Sequence, residues 1–361
     1  MKKIRHGLFS MLIVSVSLLF VSQTLLAQNG ITTPQPSQYA SVTQRIGLTD
    51  ITIIYYRPGV KERDIWGTLV PYDKVWRAGA NENTTISFSD EVTVDGKKIP
   101  AGTYGLHMLP TKTTWTIIFS KNHTSWGSFS YDEAEDAARV TVTPVKGPHQ
   151  EWLEFSFEDV TRNSAVAQLR WAELIVPFKI EVDVNAIVLQ NIRNELRNLP
   201  GFTWQGWMQA ANYCLQNDMN LDEGLQWADR SIGINKNVNN MGVKAQLLLK
   251  KGDNAAANAV MAEAWDFAKT TGQENDINSV GYMYLQSKQI KQAIDVFKYN
   301  VKKHPDAWNV YDSLGEGYAA NEQKDLAIKN YQIALTKAPD NQKGRIEGIL
   351  KTLQSEQTSS M

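Results

Sequence analysis

The 361-residue chain carries 37 Lys+Arg against 38 Asp+Glu, 42% hydrophobic and 10% aromatic residues, and one cysteine. This composition excludes a disordered or collagen-like chain and a disulfide framework, and the even charge balance argues against a nucleic-acid binder. The length suits two domains.

Residues 1–27 have the three parts of a secretory signal peptide. Lys2, Lys3 and Arg5 precede a 14-residue apolar run, Leu8 to Val21, and Ala27 offers a small residue for cleavage. The run falls short of the roughly 20 residues a membrane helix needs, which favours cleavage over a retained anchor. No cysteine beside Ala27 offers a lipid site. The expectation is an exported protein, periplasmic or secreted, with no integral membrane segment after cleavage. Residues 28–39 read as a linker.

From 40 to 184 apolar residues alternate with period two: Ile51, Ile53 and Tyr55; Tyr104, Leu106 and Met108; Trp115, Ile117 and Phe119; Leu153, Phe155 and Phe157. Asp95-Gly96 marks a tight hairpin between Val92 and Ile99. Nine or ten short strands without long helices between them predict an all-β antiparallel sandwich or barrel. Tyr131 to Arg139, rich in acids and alanines, is expected to form a short helix.

After Asp183 the period changes to 3.6, and residues 185–353 read as an all-α domain, with a frayed tail over 354–361. The first helix, 185–198, is stopped by Pro200-Gly201. Two 34-residue units then align without a gap: Gly281 with Gly315, Tyr284 with Tyr318, Ala293 with Ala327, Phe297 with Tyr331, and Pro305 with Pro339. The spacing resembles the tetratricopeptide repeat, and weaker units extend the array back to about 204. Such repeats stack into one core and commonly bind proteins. The resemblance places Asn275, Asn278, Asn309 and Asp312 in a candidate peptide-binding groove. Cys214, among Ala210, Ala211 and Leu215, reads as a buried, inert thiol.

The residues most suggestive of a site lie in one connection of the β domain. Arg57, Lys61, Arg63, Lys74 and Arg77 are interleaved with Tyr55, Tyr56, Trp66, Tyr72 and Trp76. Guanidinium groups bind carboxylates and phosphates in bidentate fashion, and aromatic faces stack on sugars or cations. With Asn81, Glu82 and His107, this set is the candidate pocket for a glycan or an anionic small molecule. The alternative is a long loop pinned to the sheet by arginine-to-backbone hydrogen bonds.

The runs Tyr55 to Gly67, Leu69 to Thr84 (with Trp76-Arg77-Ala78-Gly79-Ala80-Asn81) and Ile99 to Tyr104 resemble the exported bacterial family called domain of unknown function 2911, over about 36–184. The resemblance implies export and a compact domain, often joined to helical repeats, and carries no activity. Glu62 and Asp73 stand where that family more often has glycine, and Ala78 where it has threonine.

No nucleophile elbow, phosphate loop, dinucleotide fingerprint or His-Glu-x-x-His zinc helix is present, and the spacing of His107, His123, His149 and His304 suits no metal site. No cofactor is expected and catalytic residues stay unassigned, with Glu82 or His107 the candidates for acid or base. The first expectation for function is an interaction scaffold whose repeats dock a protein partner. A glycan- or anion-binding module and an envelope hydrolase are the alternatives.

Overall fold

The computed structural model describes residues 33–358, so the leader expected over 1–27 lies outside the described residues. The chain divides into two compact units that meet between Asn185 and Ala186.

The first unit holds ten strands among the described residues: β1 (Gln38–Ile46), β2 (Thr49–Arg57), β3 (Thr85–Phe88), β4 (Val92–Val94), β5 (Lys97–Ile99), β6 (Gly102–Pro110), β7 (Trp115–Ser120), β8 (Asp136–Val142), β9 (Val145–Glu158) and β10 (Ser164–Glu181). They pair antiparallel into a six-stranded sheet, β1-β2-β3-β6-β7-β8, and a four-stranded sheet, β5-β4-β10-β9. The alternation read from sequence is the inward face: Ile51, Ile53, Leu106, Met108, Ile117, Phe119 and Leu153 are fully buried. Rings join the two sheets, Tyr55 against Phe155 at 5.0 Å and Phe119 against Phe178 at 6.2 Å between centroids. The expected sandwich is therefore the architecture, and closure into a barrel is not.

Two local features differ from a regular pattern. The helix expected over Tyr131–Arg139 shrinks to a single 3-10 turn, Glu133–Glu135, capped by Asp132. Ala138 and Val140 instead pair with Phe119 and Ile117 of β7, and the cross-strand partners override helical propensity. In β10 the buried phase slips. Ala165, Ala167, Leu169 and Trp171 are buried, then Ala172, Val176, Phe178 and Ile180. The register against β9 shifts around Ala172, whose φ is +49°, and this bulge lets two successive residues face inward.

The second unit, with the start of its first helix at the boundary, contains α1 (Val184–Glu195), α2 (Trp204–Asn217), α3 (Leu221–Ile234), α4 (Val238–Lys250), α5 (Asn254–Thr271), α6 (Glu274–Gln286), α7 (Ile290–Lys303), α8 (Trp308–Ala320), α9 (Lys324–Lys337) and α10 (Asp340–Thr358). From α2 to α9 the helices pair as consecutive hairpins, and α10 packs on α9. The repeat positions explain the close approach: a Cβ added to Gly281 would lie 2.2 Å from Phe297 Cε1, and one on Gly315 3.1 Å from the Tyr331 ring. Ala293, Phe297, Ala327 and Tyr331 join one continuous buried cluster. Lys288 and Glu322, 34 residues apart, both adopt left-handed φ (+61° and +59°) after α6 and α8. There the backbone NH of the next residue, Gln289 or Gln323, reaches back to the carbonyl of Tyr284 or Tyr318. The tail expected to fray from Gln354 is helical to Thr358, since no Gly or Pro interrupts it.

Candidate functional site

The long connection between β2 and β3 is held by backbone contacts at several points. Trp76 exchanges both backbone hydrogen bonds with Met108, at 2.8 Å each, and Val60 NH donates to Glu151 O at 2.8 Å. Arginines add further ties: Arg57 Nε donates to Leu153 O at 2.8 Å, while Arg63 donates from Nη2 to Gly59 O at 2.7 Å and from Nε to Val60 O at 3.0 Å. Left-handed φ recurs at Lys61, Glu62, Asp73, Ala78 and Asn81. For Glu62 and Asp73 this gives a physical reason why glycine would fit the same positions.

Beneath the loop lies a tryptophan cluster. Trp76 and Trp171 stack with centroids 5.9 Å apart and planes 18° apart, and Trp66 meets both edge-on, at 5.9 and 5.7 Å. Above it opens a pocket of about 350 Å³ lined by Pro36, Ser37, Pro58, Gly59, Lys61, Arg63, Leu69, Val70, Trp76, Arg77, Gly79, Ala80 and Trp171. Its lining carries three cations and no carboxylate. Arg77 runs from this pocket to the Trp126 ring, 5.6 Å from guanidinium carbon to centroid. Its Nε is buried with no acceptor, and burial lowers its pKa, opposed by the charge of Glu82. The Trp171 indole Nε1 is likewise buried without an acceptor.

Four residues of the expected set line this pocket: Lys61, Arg63, Trp76 and Arg77. The other five do not, so the set does not form one site. Arg57 is spent on β9. Tyr72 packs its ring under Gly67, Asn81 Nδ2 donates to Gln35 Oε1 and Ser37 O, and Glu82 accepts from the Tyr56 hydroxyl, whose pKa is raised by burial first and by Glu82 second. His107 is 2% exposed, its Nδ1 lies 2.8 Å from Ser128 Oγ, and its ring lies against Tyr131. Burial pushes its pKa down to about 4, leaving a neutral imidazole without a place in the pocket. Sequence reasoning missed Trp171, about a hundred residues from the loop. The phase slip at Ala172 was its only local sign.

In the second unit a hollow of about 410 Å³ is lined by Asn212, Asn239, Gly242, Val243, Gln246, Ser279, Tyr282, Met283 and Gln286 of α2, α4 and α6. None of the four expected groove residues lines it. Asn309 Nδ2 is taken by Glu274 and Asp312 by Arg345 Nη2 at 2.9 Å, while Asn275 is exposed on the first turn of α6 and Asn278 has a buried Oδ1 without a donor. Across the hollow, Gln246 Nε2 donates to Gln286 Oε1 at 2.6 Å; beside it, the Tyr282 hydroxyl donates to Glu316 at 2.8 Å. Cys214 is fully buried in the α2–α3 core, and burial pushes its thiol up to about 11. Among the described residues no cluster of three or more His, Cys, Asp or Glu is placed to hold a metal ion, and no helix is long and apolar enough to cross a membrane.

Residues 37–180 match the profile of a family described as protein of unknown function (DUF2911). Solved structures resemble the helical region. MamA from Desulfovibrio magneticus RS-1 is 19% identical, over 43% of this chain and 85% of that one, with a TM-score of 0.32. The tetratricopeptide-repeat protein TTC0263 from Thermus thermophilus is 13% identical over 46% and 88%, with a TM-score of 0.35. Human IFIT1, solved as a dimer with PPP-AAAA, is 13% identical over 47% and 41%, with a TM-score of 0.33. No curated protein matches the chain.

Proposed function

We propose that this protein is an interaction scaffold, exported from the cytoplasm, whose helical repeats hold a segment of a partner polypeptide. The observation that carries the proposal is the hollow across α2, α4 and α6. Its rim is built from neutral amides and hydroxyls, Asn212, Asn239, Gln246, Ser279, Tyr282 and Gln286, around the apolar Val243 and Met283. Gln246 and Gln286 bond to each other and Tyr282 to Glu316, while the amides of Asn212 and Asn239 can donate and accept at once, which suits the alternating NH and C=O of an extended peptide, and the absence of fixed charge among the lining residues favours an uncharged stretch of chain. Repeat units present such a surface as a continuous series of first helices. Export rests on the leader-like residues 1–27 and is tested separately, by cell fractionation and by sequencing the mature N-terminus, expected at Gln28.

A photo-crosslinking amino acid placed at Asn239, exposed at the rim, should trap a discrete adduct in the producing cells. The same group at Lys329, exposed on α9 away from the hollow, should not. Equal adducts at both positions, or none at Asn239, would refute the proposal.

A further inference from the structure

We infer that the pocket over the tryptophan cluster of the β unit is a binding site for a small oxyanion, a molecule carrying a carboxylate or a phosphate, with Arg77 as its anchor.

Four observations converge on it. The first is charge: Lys61, Arg63 and Arg77 line one cavity without a carboxylate among the lining residues, in a chain whose net charge is −1. Two acids close to lining residues have other partners. Glu151 accepts from the backbone NH of Lys61 at 3.0 Å, and Glu82 is taken by Tyr56. Three like charges around one cavity repel one another, and an anion between them reverses the sign of that interaction.

The second is an unmet hydrogen-bonding demand. Arg77 Nε and Trp171 Nε1 are both buried donors without acceptors, and Trp171 is only 1% exposed. Buried polar groups in folded proteins are nearly always paired, which makes both atoms exceptions. Both donors belong to residues that line the same cavity.

The third is preorganisation. Arg63 is held by the carbonyls of Gly59 and Val60, so its charge is fixed before any ligand arrives. Arg77 is fixed on its other side by the Trp126 face and by Gly127, where a Cβ would lie 2.7 Å from Nη1. The fourth is shape. About 350 Å³ with Leu69, Val70, Trp76 and Trp171 as apolar walls beside the three cationic residues accommodates a small organic anion.

The test is titration of the full chain, followed by tryptophan emission, because Trp76 and Trp171 border the pocket. Probes are inorganic phosphate and glucose 6-phosphate for one chemistry, succinate for the other, and glucose as the neutral control. At least one anionic probe should give a saturable change, weakening as salt rises, and glucose should give none; the separate titrations decide between carboxylate and phosphate. Arg77→Met should lose binding at least tenfold while melting no lower than the parent, because an unsatisfied guanidinium gives way to an apolar chain of similar length. Lys61→Gln, at an exposed lining position, should weaken binding several-fold and guards against a folding defect in the first variant. Lys74→Gln, outside the lining, should bind as the parent does. The inference is overturned if no anionic probe saturates, if glucose binds as glucose 6-phosphate does, if Lys74→Gln loses as much as Lys61→Gln, or if both Arg77→Met and Lys61→Gln bind normally.

Discussion

Replacing Gly281 by alanine tests the repeat packing directly. In an exposed helix the change gains about 1 kcal/mol of helix propensity. In α6 the new Cβ would lie 2.2, 2.6 and 2.7 Å from three atoms of the Phe297 ring, far inside the ~3.5–4.0 Å of ordinary carbon contact. Phe297 is fully buried in the core formed by α6, α7 and α8, so its ring can yield only by moving its neighbours. Overpacking of this kind costs about 1–3 kcal/mol and more where nothing relaxes. The expected net loss is therefore about 0–2 kcal/mol, and more if the ring cannot yield. Gly348, in α10, is the internal reference: nothing lies within 4 Å of its added Cβ, so Gly348→Ala should gain up to about 1 kcal/mol. Gly315→Ala, 3.1 Å from Tyr331, should fall between the two. Urea unfolding followed by helical circular dichroism, with hydrogen exchange across α6 and α7, reads both size and place. A Gly281→Ala protein as stable as Gly348→Ala would refute the repeat packing argued above.

Three further outcomes are expected. His107 titrates near 4 when folded against 6.5 when free, so the unfolded chain binds the extra proton first; the stability it contributes is complete above pH 6.5 and falls by about 3 kcal/mol toward pH 4. His107→Gln should flatten that slope by up to one proton relative to the parent in urea melts across this window, and parallel slopes would refute the assignment. Cys214 should resist thiol reagents in the native protein and react only on unfolding, since its pKa is pushed up to about 11 and its side chain is buried; fast native labelling would contradict this. Lys288→Gly and Glu322→Gly should each stabilise the chain by about 0.5–1 kcal/mol, because both residues hold left-handed backbone angles that glycine adopts freely; a loss in thermal melts would refute it.

What the sequence showed best was whatever follows from local period. The 34-residue spacing of Gly281 and Gly315, and of Phe297 and Tyr331, is a statement about which side chains meet, and the helices meet there. Alternation along β2, β6 and β7 reports a face with one side buried, and that face is the core. Where local pattern and tertiary pairing disagreed, pairing prevailed. The Tyr131–Arg139 segment is helical in composition, yet Ala138 and Val140 complete the edge of a sheet.

The candidate sites were legible only in part, and the reason is combinatorial. Five cations in and beside one loop can be listed from sequence, but whether each faces a carbonyl or a cavity depends on strands far away in the chain. Arg57 is satisfied by Leu153 O, nearly a hundred residues on, whereas Arg77 Nε finds no acceptor at all. The wall that completes the pocket, Trp171, faces inward where β10 changes phase. The same holds in the repeats: Asn309 and Asp312 sit at positions suited to ligands, but Glu274 of α6 and Arg345 of α10 have already claimed them. A polar residue at a groove position is therefore only half of a binding argument. The other half is the residue one repeat away, which decides whether its hydrogen bonds are still available to a partner.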